Sequence, residues 1–441
     1  MNRRCHQALA SASAAALAMS LGADPSHGQR VDTSTAVEAA CAKLQPANTL
    51  PRAAQHTAPV PALARPGKGE ALLDPVHGSC VVRVTAHDQE PPKGFARNDY
   101  SRRQAFNADD TRLLVVAQDG YWHLYDARTL KHLKVLSGPA GDAEPQWHPT
   151  DPALLYYLPT NGVGMRLHEL NVKTGHSRVV ADFGTRLRAL WPRAQSAWTR
   201  SEGSPSADGR YWAFQVDDDR WQGLGLFTYD LIEDKILATY DFAAHGKVRA
   251  DHLSMSPSGR HVVVSWNDGP TAFTRELTQP RVLQRVGEHS DIALTADGDD
   301  AYVAIDYKAN DGALFMLNLR TGQRTDLFPT YVAGTATALH VSGKAYRRPG
   351  WVLVSTYADY GKAGQQWLHR RLFAVELKAK PRIVHLAHHH SRYAKYWTEP
   401  HASANRDFTR LMFNSNWGTA SETDVDAYMV LVPPGALAAR P

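Results

Sequence analysis

Asn107-Ala-Asp-Asp-Thr-Arg112, running into Leu113-Leu-Val-Val-Ala117, is a phrase that this chain repeats. It returns as Ser206-Ala-Asp-Gly-Arg210 before Tyr211-Trp-Ala-Phe214. It returns again as Ser256-Pro-Ser-Gly-Arg260 before His261-Val-Val-Val264, and as Thr295-Ala-Asp-Gly-Asp-Asp300 before Ala301-Tyr-Val-Ala304. Looser copies are His148-Pro-Thr-Asp-Pro152 and Asn405-Arg-Asp-Phe-Thr-Arg410. A double gap before the last copy hides a seventh, placed at His340-Val-Ser-Gly-Lys344 and leading to Trp351-Val-Leu-Val-Ser-Thr-Tyr357. Self-similarity at a period of roughly 40–50 residues, with turns alternating with short apolar runs, is the signature of propeller blades. Within one copy, Leu113–Ala117, Tyr121–Tyr125 and His132–Leu136 read as strands separated by the turns at Asp119-Gly120 and Asp126–Thr129. No stretch sustains a helical apolar period. The fold class expected is all-β: a seven-bladed β-propeller with four-stranded antiparallel blades.

A ring has to close. Ala427–Val432 leaves the last copy one strand short, and Cys80–Thr85 is a strand with no copy of its own. Residues 80–86 are therefore expected to supply the outer strand of the last blade, which removes the open sheet edge. The domain plan is residues 1–23 as signal peptide, 24–78 as N-terminal tail or linker, 79–433 as propeller and 434–441 as C-terminal tail.

Arg3-Arg4, the uncharged Ala-rich Leu9–Leu21 and the small residues Ser20-Leu-Gly-Ala23 form an export signal too short to span a bilayer. This predicts a periplasmic or secreted protein with no membrane span. Of three cysteines, Cys5 leaves with the signal; Cys41 and Cys80 remain as a candidate disulfide, with two unpaired thiols as the alternative. Residues 24–75, rich in Ala, Pro, Thr and Ser, read as linker with one short helix around 35–44. The 49 basic and 44 acidic residues are scattered, which speaks against nucleic acid as a partner.

Chemistry is expected where the innermost strands meet, just before each turn phrase. Those positions hold Tyr100-Ser-Arg-Arg103, Glu144-Pro-Gln-Trp-His148, Ser201-Glu-Gly-Ser204, Asp251-His-Leu-Ser254, Glu288-His-Ser-Asp291, Leu339-His340 and Glu399-Pro-His401. A histidine there can equally hydrogen-bond its own turn. His252, His289 and His401, from three copies, form a candidate metal set for a divalent ion such as Mn, Zn or Ca. His148, His252, Tyr100 and Arg103 are the catalytic candidates for abstracting a proton alpha to a carboxylate. Arg102, Trp147, Arg392 and Trp397 are the substrate-binding candidates. His388-His-His390 and Glu422-Thr-Asp-Val-Asp426 read as solvated loop features. No nucleophile elbow, phosphate loop, CxxC or HExxH pattern occurs.

The turn-plus-strand copies resemble TolB-type periplasmic propellers. Glu144-Pro-Gln-Trp-His-Pro-Thr-Asp151, Glu399-Pro-His-Ala-Ser-Ala-Asn-Arg-Asp407 and Phe413-Asn-Ser-Asn-Trp-Gly418 resemble the propeller polysaccharide lyases, among them oligogalacturonate and ulvan lyases. The resemblance covers roughly residues 95–432. It implies β-elimination on an anionic polysaccharide or oligosaccharide by a His or Tyr base, with an Arg or a metal at the carboxylate, in a monomeric protein. His401 matches the Pro-His position of the lyase metal site, while the His-x-His pair of that site is missing. The TolB likeness implies instead a non-catalytic propeller that binds a protein or glycan.

Overall fold

A computed structural model describes residues 35–46, 55–90, 93–200, 202–309, 311–361, 364–433 and 435–438. The signal-peptide reading falls outside these residues. The repeated phrase works through its first side chain. Asn107 Oδ1 accepts the backbone N–H of Thr111 and of Arg112 at 2.8 and 2.9 Å. Asn405 Oδ1 takes those of Thr409 and Arg410, both at 2.9 Å. Ser206 Oγ accepts from Tyr211 at 2.9 Å, Ser256 Oγ from His261 at 3.0 Å and Thr295 Oγ1 from Asp299 at 3.1 Å. These amides lie in the turn or at the head of the next strand, where a short side-chain acceptor spares them a desolvation cost. Each turn also holds its neighbour: Asn405 Nδ2 donates to Asp110, Asn107 Nδ2 to the Pro152 carbonyl, and Ser256 Oγ to Asp300, all at 2.8–2.9 Å.

The strands after these turns build the sheets of a β-propeller. Four sheets each contain four antiparallel strands in chain order, beginning at Gln146–Trp147, Ala194–Trp198, His252–Met255 and Ser290–Leu294. A fifth runs Thr335–Ser342, Trp351–Gly361, Arg371–Glu376, Ile383–His388, with the short Tyr331–Val332 strand paired to its first member. The remaining sheet has nine strands: four from Ala96–Arg97 to His132–Ala140, and a second group containing Ser403–Ala404, Arg410–Ser415 and Asp426–Leu431. A single parallel pair, Ala96 with Asp426, links the two groups. Cys80–Arg83 pairs antiparallel with Asp426–Leu431, and Ala71–Leu73 pairs outside it. Both faces of an inner sheet are covered, so its strands read as continuous apolar runs. In His261–Trp266, Val262, Val264 and Trp266 pack toward Leu226 and Phe242, whereas Val263 packs toward Tyr302 and Phe315.

The stretch expected to be a linker is docked over its described residues. Ala36–Ala42 is a helix capped by Thr35, whose Oγ1 accepts from Glu38 N at 3.2 Å while Glu38 returns the bond to Thr35 N at 2.9 Å. Val37 and Cys41 are buried, and Cys41 is disulfide-bonded to Cys80 with a Cα–Cα distance of 5.6 Å. Asp426, read as part of a solvated turn, is fully buried instead. It accepts from Arg65 (2.5 Å), Arg83 (2.7 Å), Thr85 (2.8 Å) and His87 (3.0 Å). His388, His389 and His390 are likewise buried rather than solvated: the Asp74–His77 turn covers His388, Trp417 stacks on His390, and His389 Nδ1 accepts from Ser391 N. Ala436 and Leu437, assigned to a free tail, belong to a core cluster with Trp351 and Val432. Among the described residues no helix is long and apolar enough to cross a membrane.

Replacing Asn405 with Ala strips two backbone amides of their acceptor and is expected to cost about 1–3 kcal/mol, read as a lower urea midpoint with unchanged slope. Acid supplies a second test. Burial pushes His77 down to about 3 and His390 down to about 4. A folded pKa below the unfolded value of about 6.5 means that the unfolded chain binds the proton first. Stability is therefore full above pH 6.5 and falls as pH drops toward these values, by up to about 1.4 kcal/mol per pH unit for each histidine. A urea midpoint that stays constant from pH 7.5 to 4.5 contradicts this.

Candidate functional site

Counting back from the turns sharpens where the site lies. The hidden turn starts at Lys344 rather than His340: the register Ser342 with Leu353 sets Lys344 opposite Trp351, as Asn405 stands opposite Arg410. Four residues before each turn then stand Arg103, Glu144, Glu202, His252, Asp291, His340 and His401. Every one of the seven is titratable. Each sits on or beside an inner strand, and each needs partners because all except Glu202 are less than a tenth exposed.

A cavity of about 410 Å³ opens over one arc of this belt, lined by Tyr100, Arg102, Glu202, Asp251, His252, His289 and Tyr396 among others. Arg102 is its hub. The guanidinium donates to Glu202, to the Ser290 carbonyl and, from Nη1 at 2.6 Å, to His252 Nε2. Burial opposes the charge on Arg102, but Glu202 and the surrounding oxygens more than offset it and raise its pKa. A guanidinium only donates, so His252 Nε2 is the acceptor and its proton sits on Nδ1, facing Asp251 Oδ2 at 3.1 Å. Ser265, the cross-strand partner of His252, places Oγ 3.1 Å from the same Nε2. Tyr100 keeps its phenol proton: burial, then Glu202, holds its pKa well above the usual value.

Behind Tyr100 lies a second cluster. His340 Nε2 is 2.6 Å and His401 Nε2 3.2 Å from one oxygen of Glu399. One ligating atom from each of these three residues lies within 4.8 Å of the others. Tyr100 packs on both rings, at 5.2 Å from His340 and 4.9 Å from His401, and His289 stacks on His340 at 4.2 Å. Burial drives His289, His340 and His401 each to about 3, so all three are neutral. His401 has a φ of 41°, a left-handed conformation costly for a side chain with a Cβ, and its carbonyl is held by Asn98 Nδ2 at 2.7 Å. Two neutral imidazoles and a buried carboxylate suit a divalent ion of the Mn or Zn type. Nδ1 of both His340 and His401 is buried with no hydrogen-bond partner among the described residues, so these rings are not fully satisfied by the protein alone.

The structure gathers Tyr100, Arg102, His252 and His289 at the cavity, with His401 just behind, and takes other candidates elsewhere. His148 caps its own turn, its Nδ1 accepting from Thr150 and Asp151 at 3.2 and 2.8 Å. Arg103 pairs with Asp99 at 3.2 Å and does not line the cavity. Trp147 is a packing residue that donates to the Ala105 carbonyl at 3.2 Å. Trp397 packs against Arg97 at 4.0 Å and Phe95 at 5.3 Å and does not line the cavity. Arg392 is exposed and engages Asn416 through its backbone. His252, His289 and His401 do not form one ligand set; His340 and Glu399 replace the first two. The spacing Glu399-Pro-His401 and the recurrence of a titratable residue four places before each turn carried that information. Glu202, placed by the sequence among the channel positions but given no role there, neutralises Arg102.

No family model matches the chain, and no curated protein matches its sequence. Solved structures do match. Oligogalacturonate lyase from Vibrio parahaemolyticus superimposes with a TM-score of 0.59 at 14% identity, covering 83% of this chain and 97% of that one. An oligogalacturonate lyase in complex with manganese gives 0.57 at 15% identity, covering 83% and 96%. TolB from Acinetobacter baumannii is a looser match, 0.34 at 14% identity over 64% and 62% of the two chains, and bears no weight. At these identities the likeness establishes the fold: this chain is a β-propeller of the kind seen in oligogalacturonate lyase.

Proposed function

We propose that the chain is an exported seven-bladed propeller, closed through residues 80–86, that cleaves a uronic-acid-bearing glycan by β-elimination. The observation that carries this reading is the contact of Arg102 Nη1 with His252 Nε2 at 2.6 Å. It holds a carboxylate receptor and a masked base in one pair. A uronate carboxylate entering the cavity competes with His252 and Glu202 for the guanidinium, which prefers a planar bidentate partner. Drawing Arg102 onto the substrate uncovers His252 Nε2, and Asp251 keeps the other ring proton in place. The freed lone pair takes the proton on the carbon alpha to the carboxylate. The C–H electron pair becomes the new C=C bond, the bond from the carbon beta to the carboxylate to the linking oxygen breaks, and the phenol of Tyr100 protonates the leaving oxygen. A divalent ion held by His340, Glu399 and His401, when bound, supplies positive charge that stabilises the carbanion-like transition state. The likeness in fold to lyases, one of them in complex with manganese, supports the reading.

The purified protein, offered pectic, ulvan, alginate and gum-derived oligomers, is expected to release unsaturated product seen by ultraviolet absorbance. His252→Ala lowers kcat by about 10²–10⁴-fold, whereas Arg102→Ala raises KM as well. No product from any of these glycans, with or without Mn, Zn or Ca, removes the lyase reading. Glycan binding without product then leaves the non-catalytic propeller. His401→Ala is expected to lower bound divalent metal by one equivalent in elemental analysis.

A further inference from the structure

The turn Asp74-Pro-Val-His77-Gly-Ser79 joins Ala71–Leu73 to Cys80–Arg83 and lies against the end of Ile383–His388. Asp74, His77 and His388 are each no more than 1% exposed. Asp74 Oδ1 accepts the backbone N–H of Val76 and of His77, both at 2.9 Å. Its Oδ2 accepts the His388 N–H at 2.8 Å and stands 3.0 Å from His388 Nδ1. The proton of His388 therefore sits on Nδ1, and the lone pair on Nε2 points into the protein with no donor among the described residues. His77 stacks on His388 at 4.8 Å, and its Nδ1 also has no partner there.

A carboxylate that fixes one ring nitrogen while the other stays open is the arrangement that orients metal-ligating histidines. Here, one ligating atom from each of Asp74, His77 and His388 lies within 4.8 Å of the other two. His385 adds a third imidazole, stacked on His77 at 5.4 Å. Arg371 opposes a cation: its Nη1 is 3.2 Å from His77 Nε2, and its Nη2 donates to the Ala58 carbonyl at 3.1 Å. That guanidinium has to turn from His77 when the ring ligates, so it sets how tightly the site binds.

We propose that His77 and His388, with Asp74 orienting the His388 ring from its Nδ1 side, form a second metal site, separate from His340–Glu399–His401, for a borderline divalent ion of the zinc type. Its complete burial excludes substrate, so its role is to fasten the segment before Cys80 onto the propeller. Structural zinc sites are closed in this way and contribute folding energy directly. The inference does not rest on the lyase reading.

The test loads chelator-treated full-length protein with Zn(II) alone and, separately, Co(II) alone, and measures bound metal and thermal midpoint. In a His401→Ala background one equivalent of Zn(II) remains bound and raises the midpoint; adding His388→Ala removes it. Asp74→Asn, nearly isosteric, weakens Zn(II) by about 10- to 100-fold, and Arg371→Met tightens it. If the His388 variant fails to fold, His77→Gln gives the same loss from a residue outside the main sheets. Metal-free His401→Ala protein, or His388→Ala and His77→Gln variants that keep full stoichiometry and midpoint, overturns the proposal. Should the first cluster hold no metal, His388→Ala alone abolishes binding, so the two sites fail separately.

Discussion

Backbone amides in and just beyond the turn phrases have no strand partner, and in every copy but the one headed by Lys344 the side chain at the head of the phrase takes them. This is a local bargain between an Asn, Ser or Thr acceptor and N–H groups up to five residues on. Its consequence is global. With the turn fixed, the residue four places earlier has a fixed position at the end of an inner strand, and every copy of the phrase delivers one titratable group to the same belt. All of these groups but Glu202 are buried, and several find charged partners beside the belt: Glu202 pairs with Arg102 and His252, Asp291 with Lys344, and His340 and His401 with Glu399. The site is the by-product of satisfying the turns.

The turns and strands were legible because their causes are short-ranged. A capped turn, a hairpin and a doubly covered apolar strand are each decided within ten residues, and the copies reinforce one another. The site was half legible for the converse reason. That a histidine lies near each turn is local; that His340 shares a carboxylate with His401 rather than with His252 depends on how neighbouring sheets are placed. The same limit hid the docking of the N-terminal segment. Its Ala- and Pro-rich composition offers no long apolar stripe, and beside buried Val37, Cys41 and the disulfide it is held by charged anchors, Asp426 for Arg65 and Arg83 and Asp74 for His388. The partners of those anchors lie more than 300 residues away in sequence. A run such as His388-His-His390 reads as solvated until the segment that covers it is known.

Two histidines at comparable marks show what separates a structural role from a chemical one. His148 stands at the head of its phrase, where five of the other copies have Asn, Ser or Thr, and its Nδ1 is consumed by its own turn. His340 stands four residues earlier in a copy whose head residue is Lys344, a side chain that cannot accept an amide. That turn is served from outside: Asp291 of the neighbouring sheet takes the Gly343 N–H at 2.7 Å and the Lys344 ammonium at 3.0 Å. The departure from the phrase is why this copy was hidden in the sequence. His340 itself, like His252 and His401 ahead of their intact phrases, stands four residues before the turn and faces Glu399 and His401. The head of the phrase is spent on its turn, so in this repeat the position four residues ahead of it is where a histidine is left for chemistry.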